Sequence, residues 1–520
     1  MLNIKHLLLA IATTALVACG GGGTSSTGAG SGGTGGTGGS TAGTVSAISL
    51  TPLTATEHWG KTIQLTTAPT DSAGAALTGQ TVTYTSSDIN VATVSAAGLV
   101  TLVNPGTANI TAALGGVTSN ASVINAKGFA AGTLAVRAED NCALDDTKTE
   151  VLCWGDGYPI HPNLPLQLEY PSPMKLKLGK VPAGTTIASV SPGFKHSCLL
   201  TTTGDVYCWG GAASSAGDFA GMGTNGQTPT NEPAVVQRGE IPAGAKVTKL
   251  SNGFYSTCVL VDDGNVYCWG SVSNVPRPAT LQPLSSTAYT APTKIGVSVG
   301  GIRFVDFAVG QNRSCAISDT GLLFCGRNGS NNSSTVLTPV SNPASELPSN
   351  VKLIKIKAEE GYGDFMEMLG DDGWLYSSGT GFGRRFGNGS NVSMFDASKI
   401  IRLGQGAIPA SEKIIDFSPG GIAGSHCAVT TSGKAYCWSS GFHGSLGDGD
   451  LSSHDVLSPQ LVVQGQLPAG IKFVNIDCGT YHCSALASDR KVYAWGFSEG
   501  AAIGGTVSVA APTLIRQVGN

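Results

Sequence analysis

Short runs that alternate apolar and polar residues cover most of the chain, and two rhythms divide them. From 45 to 126 the runs VSAISLTP, KTIQLTT, QTVTYTSSD, VATVS, GLVTLV and GTANITAAL follow one another with turn residues between them. Alternation with period two turns one side of each run inward, so this stretch predicts a small β-sandwich. From 127 to 520 a longer unit returns every 52 to 60 residues, with hairpin ends reading LCWG at 152, YCWG at 207 and 267, FCGR at 324, LYSSG at 375, YCWS at 436 and YAWG at 493. Its strand-like runs, seen in PAVVQRGEI, KVTKLSNG, STCVLVDD and NVYCWG, are joined by a Pro-Ala-Gly corner, a Gly-Phe loop and a hairpin. Four strands in a unit of that size make a propeller blade, and seven copies predict an all-β, seven-bladed β-propeller behind the sandwich. The first copy enters directly at AVRAEDNCAL, and APTLIRQVGN is left over after the seventh Trp-Gly. The leftover strand is expected to close the first blade, which would remove the open edges of the ring.

The hairpins carry their own chemistry. HSCLLTTTGDVYCWG from His196 returns as STCVLVDDGNVYCWG from Ser256, RSCAISDTGLLFCGR from Arg313 and SHCAVTTSGKAYCWS from Ser425. If Cys198 faces Cys208 across an antiparallel pair, Thr202, Thr203 and Gly204 form a three-residue turn whose last position wants positive φ, which explains Gly204, Gly264, Gly321 and Gly433 together. Directly opposed residues lie within disulfide reach, so the expected bridges are Cys142–Cys153, Cys198–Cys208, Cys258–Cys268, Cys315–Cys325 and Cys427–Cys437, with Cys478 and Cys483 left to pair. The fifth copy has Glu367 and Ser377 at the cysteine positions and the seventh has Ser484 and Ala494, while the first lacks the turn glycine.

The N-terminus sets the expected compartment. Lys5 and His6, an apolar run from Leu7 to Val17 and Leu-Val-Ala-Cys at 16–19 resemble a bacterial lipoprotein signal, residues 1–18, in which Cys19 is lipidated. The alternative is an ordinary secretory signal followed by a free cysteine. Gly20 in place of the aspartate of inner-membrane retention favours the outer membrane or cell surface. Residues 19–44 are almost only Gly, Ser, Thr and Ala, a flexible tether with a reach on the order of 25–30 Å. Beyond Cys19, twelve of the thirteen cysteines remain for bridges, as suits an exported chain.

Two resemblances sharpen the fold. YTSSDINVATVSAAGLVTLVNPGTANITA, from Tyr84 to Ala112, resembles the bacterial immunoglobulin-like domain of group 2, with Tyr84 where that family often has tryptophan. The repeats resemble the regulator of chromosome condensation repeat family, marked by Cys-Ala-Leu, Gly-x-Val-Tyr-x-Trp-Gly and a Gly-x-Leu-Gly segment, here GFHGSLGDGD at 441. The resemblance implies a rigid protein-binding scaffold. The family's nuclear nucleotide-exchange activity does not suit an exported chain, and fold alone does not confer it.

Other chemistry is weak. Charged residues make up 12% of the chain, with a net charge of −4 and no basic cluster, so nucleic acid is not an expected partner. No cofactor or metal is expected: GTGFGRRFGNG at 379 lacks the following helix of a dinucleotide loop, and the cysteine spacings are not those of zinc. The acidic run at 447–455 is the one calcium candidate, although it lacks EF-hand spacing. His196, His426 and His482 stand just before equivalent hairpins and read as structural. No catalytic residue is assigned. The expected function is a monomeric, lipid-anchored envelope scaffold binding an extracellular or periplasmic protein. An adhesin or glycan binder, and a propeller lyase or hydrolase, are the alternatives. The loops GFKHS, GFYS and GTYH and the long crossovers vary between copies, so that face is expected to carry recognition, with Phe194, Phe254, Tyr362 and Tyr481 as aromatic anchors.

Overall fold

The structure is a computed structural model that describes residues 44–516, apart from 156–169, 194–195, 211–222, 224–229, 254, 272–274, 277–287, 329–334, 342–344, 360–363, 381–382, 394–396, 422–423, 498–502 and 506. Cys19, Phe194, Phe254 and Tyr362 therefore lie outside the described residues. The N-terminal strands between Ala47 and Lys127 form small sheets, the largest pairing Gly106–Leu114 with Ser122–Lys127 and Thr83–Ser86. The inward residues of the alternating runs, among them Leu50, Val100, Ile110 and Ile124, are wholly buried in one core.

Among the described residues the repeats form seven four-stranded antiparallel sheets, each an uninterrupted meander of inner, second, third and outer strand. The first holds Ala135–Arg137, Asp140–Leu144, Val151–Gly155 and Tyr170–Lys175, and the seventh Phe473–Cys478, His482–Ala487, Val492–Gly496 and Val509–Leu514. This corrects the expected closure. The C-terminal strand pairs with Val492–Gly496 of its own last blade, with Tyr493 opposite Leu514, and blade 1 is complete without it. The run before each proline corner is the outer strand of the preceding sheet, as when Cys208 faces Ala234, so the long crossovers lie inside blades and the corners between them. Corner and hairpin lie on one side of the ring and the loop between inner and second strands, as at 479–481, on the other, because meander connections alternate sides.

Side chains close the ring instead. Asn475 Oδ1 accepts the Leu134 amide at 3.2 Å and Asp477 Oδ2 the Val136 amide at 2.9 Å, so blade 7 satisfies the free edge of blade 1's inner strand. The Phe129 amide donates to the Arg490 carbonyl, and the Thr480 amide to that of Ala138. Ser484 Oγ donates to Asn141 at 2.7 Å, and Arg490 pairs with Asp146 at 2.7 Å. Arg490, at φ 62°, holds the turn position that glycine fills elsewhere.

Between blades the tryptophan that ends five of the hairpins is the main filler. Trp154, Trp209, Trp269, Trp438 and Trp495 are fully buried, each burying roughly 200 Å² of ring surface. The Gly-x-Leu-Gly segment clasps the next blade's indole: Trp495 Nε1 donates to Ser445 at 3.1 Å, and a Cβ on Gly447 would meet that nitrogen at 2.8 Å. The turn glycines have two reasons to be glycine. Gly204 has φ 93°, and a side chain there would also strike Lys246, whose stem enters the next blade over the hairpin.

Among the described residues six disulfides are present: Cys142–Cys153, Cys198–Cys208, Cys258–Cys268, Cys315–Cys325 and Cys427–Cys437 across hairpins, and Cys478–Cys483 between inner and second strands of blade 7. In blade 5, Glu367 lies opposite Ser377 in that register. Its carboxylate bonds His426 Nδ1 of blade 6 at 2.7 Å.

The β-sandwich is moored to the propeller. His58 Nε2 lies 2.8 Å from Glu150, and Lys491 Nζ sits 4.5 Å over the Trp59 ring. The bond from His58, reinforced by Lys175 and Lys127, holds the Glu150 carboxyl well below the usual carboxylate range.

Candidate recognition face and central channel

On the crossover side, Tyr481 stands in the loop between inner and second strands of blade 7 and meets two aromatic residues from separate stretches of sequence. Phe442 and Phe497 pack edge-on against it, each with ring centroids 6.1 Å away, and His443 stacks on Phe497 at 4.5 Å. Phe442 is 36% exposed and His443 is exposed, while Tyr481 and Phe497 are half-buried. The segment that presents Phe442 and His443 belongs to blade 6 but lies over the outer strand of blade 7, because Gly444 packs directly on Ala510. Ser425 Oγ pins it by donating to the Ser440 carbonyl at 3.0 Å and meeting Ser445 Oγ at 2.8 Å. Ser439 at φ 82° and His443 at φ 52° hold left-handed backbone without being glycine, a strain of about 1–2 kcal/mol each that persists only where surroundings impose it. Sequence reading found Tyr481 and missed Phe442, His443 and Phe497. Phe442 and His443 sit inside the quoted GFHGSLGDGD, but nothing in that string marks their exposure.

The second feature is the channel on the propeller axis, a cavity of about 300 Å³ lined by the inner strands. In blades 2 to 7 the inner strand slips register after its first residue, as between Val247 and Lys249 or Ile414 and Asp416. A bulge re-aims the side chain beside it. The third residue is Lys249 in blade 3, Asp306 in blade 4, Lys355 in blade 5, Asp416 in blade 6 and Asn475 in blade 7, so charge alternates around the wall. Lys249 pairs with Asp306, Lys355 with Asp416 at 2.6 Å, and Lys357 with Asp477 at 3.2 Å. Burial would raise the Asp416 carboxyl, but Lys357 and Lys355 outweigh it and hold it below its ordinary value. Burial, with Lys355 and Lys357 nearby, pushes the Lys249 ammonium down to about 7.

The histidines divide into two registers, a correction to their single expected position. His196 and His482 pair with Gly210 and Gly496, whereas His426 lies one step further along, opposite Trp438. Burial, with Arg137 adding to it, lowers His196 to about 3, and burial lowers His482 to about 4, so both are neutral struts reaching the next blade, at Thr257 (2.7 Å) and Asn141 (3.3 Å). His426 joins Glu367, Glu359 and Arg385 in a polar knot between blades 5 and 6, where Arg385 bonds Glu359 at 3.1 Å. The Glu359 and Glu367 side chains are 0% and 1% exposed, inside the wall and not on a face where substrate would meet them. In the acidic run at 447–455, Asp448 bonds His454 at 2.8 Å and Asp450 caps the Ser452 amide.

Known proteins share this architecture. Residues 44–125 match the bacterial Ig-like domain (group 2) family, and residues 187–214, 247–274 and 432–486 match the regulator of chromosome condensation (RCC1) repeat. Human WBSCR16 aligns over 71% of this chain and 95% of its own, at 19% identity and a TM-score of 0.55. Yeast RCC1 (Prp20), in its complex with Kap60, aligns over 74% and 85%, at 20% identity and a TM-score of 0.55. The chain is an RCC1-repeat β-propeller preceded by a group 2 bacterial Ig-like domain. Human regulator of chromosome condensation is 23% identical to this RCC1-repeat protein over 329 residues, 60% of this chain and 72% of its own. The human E3 ubiquitin-protein ligase HERC2 is 27% identical over 312 residues, which is 58% of this chain and 6% of HERC2. The RCC1-repeat protein thus spans a small part of that relative.

Proposed function

We propose that this RCC1-repeat propeller is a non-catalytic scaffold, exported and held to the outer membrane or cell surface by lipid on Cys19, that binds a protein partner on its crossover face. The carrying observation is the exposed cluster of Phe442, His443, Tyr481 and Phe497, set on strained, pinned backbone. Rigid aromatics lose little entropy on binding and dominate interface energetics. A relative by fold, yeast RCC1 (Prp20), is seen bound to Kap60 and is described with binding to Gsp1p and histones. The test is capture of envelope proteins on the immobilised chain. Phe442→Ala together with Tyr481→Ala is expected to weaken capture of the bound protein by about 30-fold or more, the loss of two anchors at about 1–2 kcal/mol each. Retention of glycans and no protein would overturn the reading in favour of an adhesin.

The anchor has its own test. Cys19→Ser removes the thiol that lipid attachment requires and is expected to move the protein out of the detergent-extractable membrane fraction. An unchanged membrane pool contradicts the lipid anchor and leaves the binding face untouched.

A further inference from the structure

The channel charges are not balanced in hydrogen bonds. Both oxygens of each carboxylate are engaged from the wall: Asp306 accepts the Phe307 and Ile356 amides besides Lys249, Asp416 accepts the Ile476 amide and Asn475 besides Lys355, and Asp477 accepts the Val136 amide besides Lys357. An ammonium has three donors. Among the described residues Lys249 and Lys355 each spend theirs on one carboxylate oxygen, and Lys357 spends its own on Asp477 and, at 3.5 Å, the Ile476 carbonyl. Lys355 and Lys357 crowd one another, at 2.6 and 3.9 Å from the same Asp416 oxygen, and Arg137 adds a fourth cation to a wall with three anions. Asn252, also in the lining and 4% exposed, leaves its Oδ1 without a partner. A wall of surplus N–H donors and net positive charge, with one acceptor open to a ligand hydroxyl, is complementary to an oxyanion.

We infer that the central channel is a binding site for a small oxyanion, a phosphate or carboxylate group held by Lys249, Lys355 and Lys357. The alternating ion pairs alone would tie the blades together, but that role uses one donor per lysine and leaves the surplus unexplained. A bound anion answers it and offsets the burial and the lysine repulsion that together lower Lys249. The oxyanion can be a free ion or the acidic side chain of a partner entering from the crossover side, where the strand ends Pro192, Asn252 and Cys478 line the cavity.

The experiment is calorimetric titration of the whole chain with inorganic phosphate and, separately, with a short acetylated Asp/Glu peptide, at constant ionic strength set by chloride. Saturable binding of one or both is expected, weakened about tenfold by Lys249→Gln and by Lys355→Gln, each of which keeps a hydrogen bond to its aspartate. Phosphate binding without peptide binding assigns a free ion, and peptide binding without phosphate assigns a side chain. Because a substitution can disturb the ring, lysine Nζ resonances of the unsubstituted protein provide the second reading: saturable shifts at these lysines support the site. Absence of saturable binding by either probe, or affinity unchanged in both folded variants, overturns it. Either result is independent of the aromatic face.

Discussion

Replacing Asp416 with alanine is expected to destabilise the propeller by about 2–3 kcal/mol, the cost of leaving the buried Ile476 amide and Asn475 without their acceptor. Asp416 joins three blades: one oxygen takes Lys355 at 2.6 Å, and the other takes the Ile476 amide at 2.9 Å and Asn475, which itself receives Leu134 of blade 1. Removing it leaves the Lys355 ammonium without its carboxylate and releases the residue that helps close the ring. Asp416→Asn keeps an acceptor for the Ile476 amide and should cost less. Urea unfolding checks both, and a loss under about 1 kcal/mol for alanine would contradict the closing role. The pH dependence has a definite sign. Because the folded pKa lies below the unfolded value of about 3.9, this carboxylate's contribution is complete above that value and is lost as the pH falls through the folded pKa.

The second large effect is expected from reduction. Six disulfides close loops of five to eleven residues, and a ten-residue loop contributes about 2–3 kcal/mol. Together they rival the ~5–15 kcal/mol by which a typical domain is stable. A dithiol reductant should therefore lower the melting temperature by at least about 15 °C, whereas a shift under about 5 °C would show that packing and side-chain ties hold the ring without the bridges.

Strand order, hairpin register and the turn glycines were legible because each is a local pattern: Cys198 opposite Cys208 follows from two spacings and one turn type. Closure was misread because a repeat carries no mark of phase. The run before a proline corner fits equally well as the first strand of one blade or the last of the one before. What decides between them is pairing across a long crossover, such as Cys208 with Ala234, together with single polar residues, Asn475 and Asp477, that cap the exposed amides of blade 1. The candidate site was half legible for the same reason. Tyr481 announced itself as an aromatic in a variable loop, but Phe442 and Phe497 reach it from other segments, and the backbone strain of His443 has no signature in residue type. The channel lysines were hidden inside runs such as KLIKIK, where an inner strand reads like any half-exposed strand until a bulge turns its third residue to the axis.

The central claim, that the crossover face is the recognition face, is tested most directly by comparing surfaces in one capture measurement. Phe442→Ala with Tyr481→Ala disarms the crossover side, and Lys246→Glu with Lys472→Glu reverses charge on the hairpin side, where both lysines pass beside turn glycines. Both proteins must first show unchanged cooperative unfolding. Loss of the partner by the aromatic pair, with capture kept by the lysine pair, is expected; capture kept by the aromatic pair and lost by the lysine pair would place recognition on the hairpin side instead.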